Sequence, residues 1–405
     1  MKKQMILVAV ATLTLASCAK IDTNITNREL DEPAAIGFTN YTYRGYTKAD
    51  ATFVDNNATA ALPNGKKFGV YAYSTTNNNA WTTSLSATGN AVFMDGVAVT
   101  FGTGGESDAT KNTYSPTRYW PSGQTPDWLT FWAYYPVEET SGKVTAGSNG
   151  ITYTKPSGTN GLGTFAFTAA GTAAEMVDFM VADVVNDKIY GSASGEHVAV
   201  NGVVPLHFHH MLTKVQFKFK TNLSAAELTT TKVYLTDAKL IDIRTERTLN
   251  ATYATGSTTT TWADGTDAAA KADTPADYEI FVNGKDVTSA ETNRVDLTGT
   301  ATTPATAEVF LMVPQTMVAS TGTNAQILHV EWDVVTDGVT THNSKDLYFY
   351  SDLVTSDSND TSVAAINWAK NDFITYNVTV GPKPIRFTAD VSTWGTEQNG
   401  FINVY

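Results

Sequence analysis

LHFHHMLTKVQFKFK, residues Leu206–Lys220, carries the pattern that decides the fold. Its last six residues, Val215-Gln216-Phe217-Lys218-Phe219-Lys220, alternate apolar with polar at every step. A period of two belongs to a strand, whose successive side chains point to opposite faces. Val215, Phe217 and Phe219 are therefore expected inside, with Gln216, Lys218 and Lys220 facing water.

The same texture extends in both directions. Towards the C-terminus, Thr231–Ile243, Glu308–Val313, Ile327–Val335, Lys345–Tyr350, Phe373–Val380 and Ile385–Val391 read as strands. Ile327–Val335 and Lys345–Tyr350 are expected to form a hairpin across Thr336–Asn343. Towards the N-terminus, Ala34–Tyr43 and Lys67–Ser74 are strands; in the second, Phe68 and Val70 share one face and Tyr71 and Tyr73 the other. Ala91–Phe101 reads as two short strands turning at Asp95-Gly96, a favoured two-residue hairpin turn. WLTFWAYYP, Trp128–Pro136, is a buried strand closed by proline, and Val177–Val184 is strand-like. Ser141–Gly171 is expected to form long hairpins or a surface loop, and the Thr-, Ala- and Asp-rich Thr255–Ala276 an exposed loop. No amphipathic helix exceeds a couple of turns, and no fixed-period repeat appears. The fold class is all-β.

Composition narrows the function. The 405 residues suffice for two domains with their own cores. A net charge of −13 leaves no basic surface to neutralise phosphates, which argues against nucleic acid as a partner. After Cys18, the single cysteine, no thiol remains for a disulfide, so stability must come from burial and sheet hydrogen bonds.

The first residues, MKKQMILVAVATLTLASC, place Lys2 and Lys3 before an apolar run from Met5 to Leu15. The run is too short and wrongly flanked for a spanning helix and reads as a secretory signal. Leu15-Ala16-Ser17-Cys18 resembles a bacterial lipobox, in which Cys18 becomes the first mature residue and carries the lipid. Residues 1–17 are then the signal peptide and 18–33 a polar tether. A domain boundary is expected near Asn201–Pro205, dividing 34–203 from 204–405.

Chemistry-bearing constellations are sparse. His207 and His209 share a strand face at a spacing suited to an ion, but no further ligand cluster lies nearby, so they are read as structural. No Gly-x-Ser-x-Gly, zincin histidine pair or phosphate loop is present. The sequence is read as a non-enzyme without metal or cofactor. Trp120, Trp128 and Trp132 have two readings, strand core or a platform for sugar rings. Burial would exclude the second.

The lipobox, IGFTNYTYRG, KFGVYAY, RYWP with LTFWAYYP, LHFHHMLTKVQF, FLMVPQ, and WAKNDFITYNVTV with IRFTADVSTW, in this order, resemble the Bacteroidales fimbrillin family. The likeness covers essentially the whole mature chain; each motif alone is weak, and their order makes the match specific. It implies two β-sandwich domains of transthyretin-like topology, exported as an outer-membrane lipoprotein. In polymerising members an arginine-specific protease cuts after an Arg that follows the first strand, and a neighbour's C-terminal strand fills the groove so opened. By position Arg44 is the implied cleavage residue and Ala35–Tyr43 the strand removed; Arg28, the rival, precedes that strand. Partners are neighbouring fimbrial subunits, the outer membrane through the lipid, and host or bacterial surface receptors.

Such assembly is β-augmentation, a backbone ladder with alternate side chains in pockets. The donor lies within about residues 384–405 on either of two segments: Ile385, Phe387, Ala389 and Val391 on one face, or the terminal Phe401, Ile402 and Val404. The competing expectation is that these strands pack permanently in their own domain. Stalk subunit, fimbrial anchor or tip, and surface glycan-binding lipoprotein all remain open at this stage.

Overall fold

A computed structural model describes residues 34–43, 59–60, 62, 64–75, 91–122, 127–145, 148–156, 161–192, 194–254, 257–263, 275–282, 285–287, 292–298, 304–318, 325–353, 366–382 and 386–393. In chain order its strands begin with β1 (Gly37–Tyr43), β2 (Thr59–Ala60), β3 (Lys67–Thr75), β4 (Ala91–Thr100), β5 (Trp128–Tyr135), β6 (Glu139–Thr140) and β7 (Lys143–Val144). Next are β8 (Ile151–Thr154), β9 (Gly161–Thr168), β10 (Met180–Ala182), β11 (Val185–Gly191), β12 (Val198–Val200), β13 (Val203–His210) and β14 (Thr213–Thr221). Then come β15 (Thr231–Arg244), β16 (Glu246–Ala254), β17 (Ser257–Trp262), β18 (Pro275–Glu279), β19 (Phe281–Val282) and β20 (Lys285–Asp286). The series ends with β21 (Val295–Asp296), β22 (Ala305–Met312), β23 (Ile327–Thr336), β24 (Val339–Tyr348), β25 (Asp372–Val380) and β26 (Arg386–Thr393). The only helices among the described residues are single 3-10 turns.

The first sheet runs β2-β1-β13-β10-β5-β3-β4-β7-β6, with β11 and β12 attached beside β5. Its central strands are buried on both faces, so their sequences are apolar at nearly every position instead of alternating. Alternate residues still go to different cores. Phe68, Val70 and Ala72 join Leu129, Phe131 and Ala133 in one cluster; Tyr71 and Tyr73 join Trp132 and Tyr134 in the other. Most of the first cluster comes from β1, β3, β4, β5, β10 and β13, strands of this one sheet, joined by Ala199 of β12 and by Ile36, Leu62, Phe101 and Trp120 from connecting segments. The sheet therefore curls over its own core.

On the opposite face lies a four-stranded sheet, β17-β16-β9-β8, whose Phe165 packs on Tyr134 at 5.0 Å between ring centroids. A sandwich follows, built of β20-β19-β22-β14-β25-β26 and β18-β15-β23-β24, with β21 beside β15. The strand that opened the sequence reading is β14. Val215, Phe217 and Phe219 are fully buried, and Gln216, Lys218 and Lys220 are half-exposed. Phe217 stacks on Tyr376 of β25, and Tyr278 of β18 meets Phe310 of β22 across the sandwich.

Several local expectations are corrected. Ala91–Phe101 is no hairpin: β4 is continuous, and Asp95-Gly96 forms a bulge where two residues oppose Tyr71, between the pairs Val70↔Val97 and Ala72↔Met94. Gly96 takes φ +64, and a Cβ there would sit 3.0 Å from the Tyr71 hydroxyl. Thr255–Ala276 is not wholly loop, because β17 pairs with β16 from Leu249↔Trp262 to Ala254↔Ser257. β-Branched threonines suit a strand, and the Trp262 indole anchors it by donating to the Met211 carbonyl at 2.8 Å. The hairpin expected across Thr336–Asn343 turns in two residues, Asp337-Gly338, at φ 50 and 82. Both take the left-handed conformation that a tight turn between twisted strands requires, so β24 begins at Val339.

The expected boundary between residues 203 and 204 falls at the start of β13, which belongs to the first sheet. The next strand, β14, belongs to the six-stranded sheet, while the later β16 and β17 join β9 and β8 in the four-stranded one.

Candidate functional site

The site follows from how β1 is held. On one side it pairs in parallel with β13, from Gly37↔Val203 to Thr42↔Phe208. On the other, the two-residue β2 reaches only Thr42 and Tyr43. The rest of that edge is closed by side chains from residues 112–114. Asn112 Nδ2 donates to the Phe38 carbonyl at 2.8 Å, and the Tyr114 hydroxyl donates to the Ile36 carbonyl at 2.8 Å. Three backbone bonds complete the fastening, Ile36 N–H to Arg118 O at 2.9 Å, Trp120 N–H to Ala34 O at 2.9 Å and Gly37 N–H to Gly202 O at 3.0 Å. β1 is thus an outer strand with one continuous ladder and one patchwork edge.

Its inward row is Ile36, Phe38 and Asn40, all buried. Phe38 meets Tyr114 at 5.7 Å and the edge of Phe131 at 6.0 Å between centroids. Ile36 and Phe38 lie in the same cluster as Val204, Leu206, Phe208, Trp120 and Leu129. Lifting β1 away would uncover a hydrophobic groove along β13. Burying an aliphatic or aromatic side chain contributes roughly 1.5–3 kcal/mol, so Ile36 and Phe38 are strong anchors of β1.

The model of the family described as fimbrillin-like matches residues 47–394. The chain belongs to the fimbrillin-like family. Membership makes it a fimbrial-type protein of the cell surface. Among solved structures it is similar to a presumed cell adhesion protein from Bacteroides uniformis, at 15% identity and TM-score 0.43 over 90% of this chain and 98% of that one. It is also similar to the tip fimbrial protein Mfa3 from Porphyromonas gingivalis, at 6% identity and TM-score 0.35 over 89% and 100%. No curated protein matches it by sequence.

Other residues singled out in this fimbrillin-like chain fall as follows. Cys18, Arg28, Arg44, Ile385, Phe401, Ile402 and Val404 lie outside the described residues. Phe387, Ala389 and Val391 lie on β26, paired antiparallel with β25 of the same chain from Asp372↔Thr393 to Thr379↔Arg386. The three tryptophans form no platform: Trp120 and Trp132 are core, and Trp128 stacks on His197 at 4.3 Å. Strand β5 runs through the middle of a sheet with both faces covered, which removes the glycan-platform reading.

His209 Nε2 lies 2.8 Å from Asp183 and His210 Nδ1 2.7 Å from the buried Asp178. Burial, then repulsion from His209, holds His207 below the usual imidazole range. Among the described residues, one trio could hold a metal: Asp237, His329 and Glu331, with ligand atoms within 4.8 Å of one another. Sequence reading missed it because the trio spans two strands. Lys239, opposite His329 in the β15–β23 register, already bonds Asp237 at 3.0 Å, and Asp346 holds His329 Nδ1 at 2.6 Å. The arrangement is a cross-strand charge network.

That network has a pH signature. Burial by itself pulls the His329 pKa down, but the bonds to Asp346 and Glu331 outweigh it and hold the pKa above its ordinary value. A raised folded-state pKa contributes stability that is complete below the unfolded value, about 6.5, and is lost as pH rises through the folded one. Melting temperatures followed upward from pH 6 are expected to fall faster for the wild type than for His329→Gln. Parallel curves would exclude the linkage.

Proposed function

We propose that the chain is a fimbrial stalk subunit, exported as a precursor lipidated at Cys18 and polymerised after cleavage at Arg44. Release of β1 opens its groove, and a C-terminal strand of a neighbouring subunit fills it. In this reading the molecule is two β-sandwich domains of transthyretin-like topology. The observation that carries the reading is the state of β1. It ends at Tyr43, one residue before Arg44, and it buries Ile36 and Phe38 at an edge capped by β2 and two side chains. A segment so placed can leave without breaking the central strands, and an outside strand can replace its ladder.

The test is mass spectrometry of the protein from intact cells and from shed surface material. The expected result is an N-terminus at Gly45 in high-molecular-weight, heat-resistant ladders. Arg44→Ala is expected to leave the lipidated precursor and abolish the ladders. A lipidated N-terminus at Cys18 on monomers alone overturns the stalk reading and favours an anchor.

A further inference from the structure

Asn40 is the third member of β1's inward row, with 0% of its surface exposed. It stands opposite Leu206 in the β13 register. Neither its Nδ2 nor its Oδ1 has a hydrogen-bond partner. A side-chain amide offers two donors and two acceptor lone pairs, and burying them unpaired forfeits the bonds that water gave them. Asparagine is also a weak strand former. Phe38 and Ile36 therefore hold β1 in place while Asn40 works against them.

The chain repeats the row elsewhere with this defect removed. Ile-x-Phe-Thr occurs twice, as Ile36-Gly37-Phe38-Thr39 and as Ile385-Arg386-Phe387-Thr388. The first continues Asn40-Tyr41-Thr42 and the second Ala389-Asp390-Val391. Aligned in this way, a methyl stands where the amide is, and valine replaces the similarly shaped Thr42. The second copy of the pattern is imperfectly used where it lies. Its residues 386–391 fall on β26, the end strand of its sheet with β25 as its neighbour there, and Val391 is 47% exposed.

We propose that Asn40 makes β1 a poor occupant of its own groove, and that residues 385–391 of a second copy are the occupant it yields to. The register is Phe387 for Phe38 and Ala389 for Asn40. This inference rests on the reading that β1 is released after cleavage at Arg44. A strand entering in β1's direction preserves the parallel ladder to β13 and exchanges two unpaired polar atoms for a methyl. The smaller side chain leaves some space, which costs less than the orphaned amide if the groove closes on it. Exchange then runs downhill on side-chain chemistry alone, and Asn40 gives it direction.

The experiment uses the full chain cut at Arg44 by an arginine-specific protease, with fluorescent peptides as probes. The peptide of residues 383–394 is expected to displace the N-terminal fragment. It should bind at least about fivefold more tightly than the same peptide carrying Ala389→Asn, the low end of what an unpaired buried amide costs. In the chain carrying Asn40→Leu, release of the fragment after cutting is expected to slow by a similar factor. If that variant does not fold, the peptide comparison on the wild-type chain decides by itself. Equal binding of the two peptides overturns the inference. So does polymerisation of a cut chain that ignores the 383–394 peptide, an outcome that leaves the proposed function standing with its donor elsewhere. A cut chain that neither sheds the fragment nor polymerises overturns both.

Discussion

Trp132→Ala is expected to destabilise the folded chain by about 3–5 kcal/mol, the range for removing a large aromatic side chain from a packed core. Trp132 is fully buried at the centre of β5, with Tyr71 of β3 directly opposite in register. Their rings stack at 4.8 Å and 15°. The indole also meets Tyr153 at 5.3 Å and Phe165 at 6.2 Å, both from the four-stranded sheet. The residue therefore joins two sheets, and alanine would leave a cavity between them that neither rigid sheet can close. Trp132 Nε1 has no hydrogen-bond partner. Trp132→Phe should accordingly cost much less, because it keeps a ring and removes an unpaired donor. Denaturant titrations of the three proteins check both expectations, and a Trp132→Ala chain within about 1 kcal/mol of wild type would show that the sheets repack.

Phe38→Ala is expected to produce a comparable loss, about 3–5 kcal/mol, but confined to β1. Phe38 is almost fully buried, set between Tyr114 and Phe131. β1 lies near the end of its sheet, so its loss leaves the pairing of β3 with β4 and β5 intact. Elements of this kind open separately from global unfolding. Hydrogen exchange measured by mass spectrometry should therefore accelerate strongly in peptides covering residues 34–43. Peptides covering 128–135 should change little. Cleavage at Arg44 should be faster than in the wild type, and the opposite shift is expected for Asn40→Leu. Uniform acceleration across both regions would mean that β1 is part of the global folding unit and would count against its separate release.

Much of this was legible along the chain. Val215-Gln216-Phe217-Lys218-Phe219-Lys220 shows its strand and its buried face by period alone, because one face of β14 meets the core and the other meets water. The continuous apolar runs at Lys67–Ser74 and Trp128–Pro136 announced strands buried on both faces. Errors clustered where local chemistry has two outcomes. Asp95-Gly96 and Asp337-Gly338 are the same dipeptide, yet one bulges within a strand and the other reverses the chain. What separates them is whether the flanking residues find partners in each other or in a third strand, and β4 finds β3.

The sequence by itself determined that the chain is built of strands and which faces of them are apolar. It also displayed two copies of Ile-x-Phe-Thr, since identity needs no geometry. Only the tertiary structure decided that β1 lies beside β13, more than 160 positions away, and that its far edge is tied by Asn112 and Tyr114. Only there does Asn40 become an amide without a partner. The physical reason is that a strand's hydrogen bonds and its packing are made with other segments. Its own residues specify the period of two, while the partner, the register and the satisfaction of each buried polar atom depend on what the rest of the chain brings alongside.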